Sequence, residues 1–119
     1  MKVIQIAVFF YLPTILVVFY SCHAKQPVFL ISKDYEFVEE KNNSPIRAVA
    51  IEQYDTLNNF IGKKNIYKNL NGDGKSKIYF FLENEGYHFN GDTLRLSKGF
   101  VYKLHIETLG FSDTLVFRP

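Results

Sequence analysis

The sequence predicts a small all-β domain, built as an antiparallel β-sandwich of about seven to eight strands. Aromatic residues make up 17% of the 119 residues, which favours strands over helices. From Val28 onward, short apolar or alternating runs recur, and clusters of Gly, Asn, Asp, Ser and Pro separate them. Short strands with frequent turns are typical of antiparallel sandwiches. We therefore expect one domain over residues 28–119.

The first strands follow from apolar runs and alternation. An apolar run begins at Val28, and the segment DYEFVEE alternates so that Tyr35 and Phe37 share one face. A cluster of Asn, Ser and Pro then predicts a loop. The segment IRAVAIEQY, residues 46–54, combines β-branched residues with period-2 placement and is predicted as a strand.

The next segment, residues 55–64, is ambiguous from sequence. It could hold a turn, or a single helical turn capped by Asp55 or Thr56. The run NIYKNL that follows is predicted as a strand.

The stretch NLNGDGKSK, residues 69–77, has two readings. Aligned on an EF-hand loop, Asn69, Asn71 and Asp73 fall at the first three ligand positions. Only Asp73 carries a negative charge, so calcium binding would be weak, and we disfavour it. Asn-Gly and Asp-Gly are strong turn signals. We interpret the stretch as a hairpin tip that joins NIYKNL to KIYFFL.

The run KIYFFL is apolar on both faces and is predicted as a central strand. Surplus aromatic residues can form an apolar surface patch, so Tyr79, Phe80 and Phe81 are candidates for a contact surface. A brief strand YHF, a turn at residues 90–92 and a short strand TLRL should follow.

The segment FVYKLHIETL is the clearest strand, with Tyr102 and alternate residues on one face, and DTLVFRP ends the chain as a strand. Just before it, LSKGFVYKL resembles the tyrosine corner of immunoglobulin-like and fibronectin-like domains. The resemblance assigns the roles of that motif to Leu96, Gly99 and Tyr102, whose hydroxyl would bond to backbone upstream. A transthyretin-like sandwich is the alternative fold.

The N-terminal segment has the layout of an export signal. An uncharged apolar run ends at Tyr20, and Ser21 precedes Cys22, the only cysteine of the chain. The stretch VVFYSC resembles the signal end of bacterial lipoproteins, whose cysteine receives a diacylglyceryl group and becomes the first residue after cleavage. The resemblance implies a signal helix within residues 1–21 and lipidation at Cys22.

The resemblance also implies a location. Because His23 and not Asp follows Cys22, lipoprotein sorting would favour the outer membrane, and the lack of an acidic run favours its periplasmic face. Residues 22–27 would then form a short tether. Two alternatives stay open. The apolar run is near the lower length limit for an uncleaved transmembrane anchor, and Cys22 could be a plain thiol of a secreted protein.

The charged residues predict neither a nucleic-acid partner nor an enzyme. The formal net charge of +2 and scattered basic residues argue against a nucleic-acid partner. Four residues of ENEGYHFNGD could bind zinc or act as acid and base: Glu83, Glu85, His88 and Asp92. Neighbours on a strand point to opposite faces, so we interpret this cluster as a solvated turn. No catalytic motif is recognisable, and we expect no cofactor and no metal.

These observations lead to an expected function. The chain would be a lipid-anchored envelope protein that binds another envelope protein near the membrane, as an accessory or interaction protein. A purely structural envelope lipoprotein is the second hypothesis. A carbohydrate- or small-ligand-binding module is the third, and a hydrolase that uses residues 83–92 is the last.

Overall fold

The computed structural model of the chain describes residues 26–119, which form eight β-strands. None of these residues belongs to a helix long and apolar enough to cross a bilayer. The proposed signal helix and Cys22 lie outside the described residues. The strands are β1 (Phe29–Ile31), β2 (Phe37–Glu40), β3 (Ile46–Tyr54), β4 (Phe60–Lys68), β5 (Lys77–Tyr79), β6 (Tyr87–Gly91), β7 (Val101–Thr108) and β8 (Phe111–Phe117).

The strands form two sheets, and every pairing is antiparallel. The small sheet has the order β1-β2-β5, and the large sheet has the order β6-β4-β3-β7-β8. The all-β prediction, the antiparallel pairing and the strand number are therefore confirmed. Strand β3 lies at the centre of the large sheet, which agrees with its regular alternation of buried and more exposed residues.

The core lies between the two sheets. Val49 and Ile51 of β3 and Leu104 of β7 contribute from the large sheet, and Val38 and Ile78 contribute from the small sheet. All five are at most 1% exposed. Strand β7 alternates as the sequence predicts, because its even-numbered apolar residues face the core and its charged residues face outward.

Tyr102 ties the large sheet to the segment before it. Its hydroxyl donates to the Arg95 carbonyl oxygen at 2.6 Å and accepts from the backbone N–H of Ser97 at 2.9 Å. The predicted bond from this hydroxyl to upstream backbone is therefore present. Gly99 has a positive φ of 84° in the same segment. Leu96, in contrast, is exposed, and Leu94 packs on the core in its place.

Glu40 is a buried carboxylate at the end of β2. It is 2% exposed, and its oxygens accept hydrogen bonds from the backbone N–H groups of Val28, Asn42 and Ser44. A buried charge is tolerated when hydrogen bonds satisfy it. The side chain therefore joins the start of the domain to the loop before β3.

The predicted hairpin at residues 69–77 is wrong. The strands that flank it, β4 and β5, belong to different sheets, so the segment crosses from one sheet to the other. Strand β5 is also an edge strand of the small sheet, whereas the sequence predicted a central strand. A turn signal fixes the local bend, but it does not determine which strand the chain pairs with afterwards.

Four shorter predictions are resolved. Tyr35 has φ 57° and lies in the turn before β2, not on a strand. The ambiguous segment 55–64 divides: residues 55–59 form a turn, in which the Asp55 carboxylate accepts from the N–H of Leu57 and of Asn59, and residues 60–64 begin β4. The expected turn at residues 90–92 is wrong in part, because β6 extends to Gly91. The expected strand at residues 93–96 is not formed.

Candidate functional site

The loop considered for calcium is partly occupied by a lysine. The Lys68 ammonium donates to the carbonyl oxygens of Gly72 at 2.8 Å and Asn69 at 3.3 Å. The side-chain oxygen of Asn69 bonds to His88 instead of turning toward Asp73. A positive charge at the loop carbonyls disfavours a second cation there. Asn71 and Asp73 are exposed.

The acidic cluster does not converge. Glu83 and Glu85 lie in the exposed segment before β6, and Glu85 approaches Lys75 at 3.6 Å. Asp92 accepts from the backbone N–H of Lys63, whereas the His88 ring lies against Tyr67 and bonds to Asn69. Among residues 26–119, no group of three or more His, Cys, Asp or Glu could hold a metal ion.

The candidate contact residues at 79–81 face different ways. Phe80 is fully buried in the core, whereas Tyr79 and Phe81 are half-buried. Phe80 therefore contributes nothing to a surface in this fold. The exposed apolar residues lie elsewhere.

Strand β8 is an edge of the large sheet. It is seven residues long and pairs with β7 without a register shift. Each other sheet edge in the described chain is shorter, with five residues in β6 and three each in β1 and β5. Natural edge strands are commonly shortened, bulged or blocked by Lys or Pro. Strand β8 is neither short nor bulged and has no Lys or Pro; its one charged residue, Asp113, lies opposite the core residue Ile106 and protects the edge at one point only.

Apolar side chains surround this edge. Phe111 and Val116 of β8 are 40% and 47% exposed, and Leu109 in the preceding turn is 79% exposed. The Asp113 carboxylate accepts a hydrogen bond from the N–H of Thr114, so this N–H points away from β7. By the alternation of an antiparallel ladder, the N–H groups of Ser112 and Val116 also point to the open side.

The outer face of the large sheet presents aromatic and amide groups. The rings of Tyr67 and His88 lie 5.6 Å apart, tilted by 32°. In the neighbouring row, Asn65 donates to the Asn90 side-chain oxygen at 3.2 Å. The small side chain of Ala48, beside Tyr67, leaves a depression of about 320 Å³.

A groove opens between the β6 edge of the large sheet and residues 82–85. Its volume is about 660 Å³. Lys64 of β4 lies in it at 7% exposure and donates to the Phe80 carbonyl oxygen at 2.9 Å. Burial lowers the pKa of Lys64.

Sequence reasoning missed Lys64. The alternation of IGKKNIYK offered a signal, because an inward-facing Ile66 implies that Lys64, two residues earlier, also faces inward. No family model, no curated protein and no solved structure matches this chain.

Proposed function

We propose that the chain is a lipid-anchored, non-catalytic protein of the bacterial envelope that binds another envelope protein along β8. The observation that carries the proposal is the long edge of this strand, on which Asp113 occupies the outward N–H of Thr114 and leaves those of Ser112 and Val116 open. It is seven residues long and regular, and exposed apolar side chains adjoin it. An exposed, regular edge strand pairs readily with an extended segment of another chain.

The partner that fits this edge is an extended segment that adds a sixth strand to the large sheet. Its backbone would bond to the outward N–H groups of Ser112 and Val116 and to the adjacent carbonyl groups. Phe111 and Val116 are five residues apart and lie on opposite faces of the sheet, so the partner strand should carry an apolar side chain on each face. The interaction would depend on backbone geometry more than on charge.

We also propose which type of β-sandwich the domain forms. The Tyr102 hydroxyl, which bonds to backbone five and seven residues upstream, supports an immunoglobulin-like sandwich with a tyrosine corner. The exposed position of Leu96 departs from that motif. A transthyretin-like arrangement stays the alternative.

The anchor at Cys22 supports a location at the outer membrane, on its periplasmic face. The test is metabolic labelling with an alkyne fatty acid, comparing the wild type with Cys22→Ser. Label that depends on Cys22 supports acylation. Equal labelling of both chains would sink the anchor while leaving the β8 proposal intact.

Site-specific photo-cross-linking tests the β8 edge. A photoreactive residue at position 112 should give one discrete adduct in envelope membranes, and the same residue at position 63, on the outer face, should not. Val116→Pro removes an outward N–H and an exposed side chain but no hydrogen bond between β7 and β8, so the domain should fold and the adduct should disappear. An adduct that survives Val116→Pro would contradict pairing at this edge. An adduct of twice the chain mass would identify a second copy as the partner.

A specific observation favours carbohydrate as a second candidate ligand. A sugar could stack on the Tyr67 ring and hydrogen-bond to the amides of Asn65 and Asn90. The shallow depression beside Ala48 would give it room. Titration of the folded domain with envelope oligosaccharides, followed by NMR, tests this candidate. Shifts confined to the outer face and lost in Tyr67→Ala would support it; an unperturbed outer face would rule it out for those sugars.

A further inference from the structure

The Lys64 groove combines a buried cation with apolar walls. Ile66, at 2% exposure, lies at its base, and Leu82 and Phe89 are 65% and 53% exposed along its sides. A volume of about 660 Å³ falls within the usual range for small-molecule sites, roughly 300–1,000 Å³. The groove is thus large enough for a small ligand and offers it one buried charged group, Lys64.

The Lys64 ammonium has unused bonding capacity among the described residues. It donates one hydrogen bond, to the Phe80 carbonyl oxygen, and lies 4.6 Å from the centre of the Phe89 ring. A lysine ammonium has three donors. No carboxylate of residues 26–119 lies within ion-pair distance of it. Burying a charge without an opposite charge is costly, and an anionic ligand would offset that cost.

We propose that this groove binds a small amphipathic monocarboxylate, with its carboxylate on Lys64 and its apolar body against Leu82 and Phe89. This site is separate from the β8 edge and does not depend on it.

The other titratable groups at the groove restrict the ligand to a single negative charge. Glu83, Glu85, Tyr87 and His88 also line it. Two carboxylates near the opening repel a multiply charged anion such as a phosphate ester, whereas one buried ammonium matches one carboxylate. A neutral ligand with the same apolar body would leave Lys64 uncompensated. The chemistry therefore selects a monoacid over both a polyanion and an alcohol.

Matched probes test the charge requirement. Octanoate and octanol share an apolar chain and differ in the head group, and both can be titrated into the wild-type domain by NMR. We expect octanoate to bind at least tenfold more tightly and to shift the amide signals of β6 and residues 82–85. Equal affinity for the two probes would overturn the proposal.

Two variants test the residues, and one provides a control. Lys64→Met keeps the length of the side chain and removes the charge; it should weaken octanoate at least tenfold and leave octanol nearly unchanged. Leu82→Asn alters an exposed wall residue, so it should fold and weaken both probes. Lys103→Met removes a lysine at the same 4.6 Å from a ring, that of Tyr54 on the outer face, and should change neither affinity. Octanoate affinity that drops equally in Lys64→Met and Lys103→Met, or in neither, would refute the site.

Discussion

The Tyr102 hydroxyl donates a hydrogen bond to the Arg95 carbonyl oxygen at 2.6 Å. The same hydroxyl accepts from the N–H of Ser97 and from the side-chain amide of Gln53, at 2.9 and 3.1 Å. The tyrosine is fully buried. One side chain therefore serves three polar groups at the point where the chain enters β7.

Tyr102→Phe should destabilise the domain by about 1–3 kcal/mol, because it leaves buried polar groups without their partner. Urea unfolding followed by circular dichroism would measure the loss. Tyr67→Phe, on the exposed outer face, is the matched control and should change the free energy of unfolding by less than about 0.5 kcal/mol. Similar losses for both variants would show that the hydroxyl network contributes little.

Gly91 and Gly99 form a second matched pair. Both have positive φ, 100° and 84°. A Cβ at Gly91 would lie 2.4 Å from the Lys63 carbonyl oxygen, whereas a Cβ at Gly99 would have no heavy atom within 4 Å. Gly99→Ala should cost about 1–2 kcal/mol from its backbone conformation alone. Gly91→Ala should cost at least twice as much, measured as thermal and urea midpoints. A milder effect at Gly91 would mean that β6 can move away from β4.

Lys64 should make stability rise with pH toward its ordinary pKa of 10.5. Because burial lowers the pKa of the folded-state ammonium, the unfolded chain holds more protons between that lowered value and 10.5. The free energy of unfolding therefore rises across this window. In urea unfolding from about pH 7 to about pH 10, the free energy of unfolding of the wild type should rise relative to that of Lys64→Met. Burial also raises the pKa of Tyr87. Because Tyr87 is present in the wild type and in Lys64→Met, its effect on stability cancels when the two proteins are compared. A difference independent of pH would contradict the lowered pKa.

His105 should hold down the pKa of Glu52. Burial alone raises that pKa, but the hydrogen bond and charge of His105, with smaller effects from Tyr54 and Lys63, lower it from 4.5 overall. A lowered carboxyl pKa stabilises the fold above the unfolded value and loses that effect as pH falls through the folded value. His105→Ala should therefore raise the Glu52 pKa in a carbon-detected NMR titration. Glu39, whose pKa is lowered mainly by its hydrogen bond to Lys41, should stay unchanged.

The strands with strict alternation could be predicted from sequence, and the connections between sheets could not. Strand β3 from Val49 onward and strand β7 from Tyr102 onward bury every second residue, and this periodicity is visible in a single sequence. The crossover at residues 69–76 could not be recognised, because Asn-Gly and Asp-Gly mark a bend whether or not the flanking strands pair. Strand β6 is longer than the predicted YHF because Asn90 and Gly91, which are typical turn residues, continue its pairing with β4.

The candidate sites also differ in whether they depend on regular strands or on long-range connections. Tyr67 and the two asparagines beside it belong to regular strands, so their common face could be anticipated in outline. The Lys64 groove depends on where the chain passes after β5, which places the Phe80 carbonyl oxygen over the ammonium. Such a long-range contact has no local signature.

The three backbone bonds to Glu40 have a mechanical consequence. They fasten Val28, which directly precedes β1, to the loop before β3, and the N–H of Lys41 adds a bond to the Val28 carbonyl oxygen. Tension that reaches the domain from its N-terminal side is therefore shared between two segments before it acts on β1. If the Glu40 bonds opened, the start of the domain would be held by the bond from Lys41 to Val28, the bond from Asn42 to Gln26 and the three-residue pairing of β1 with β2.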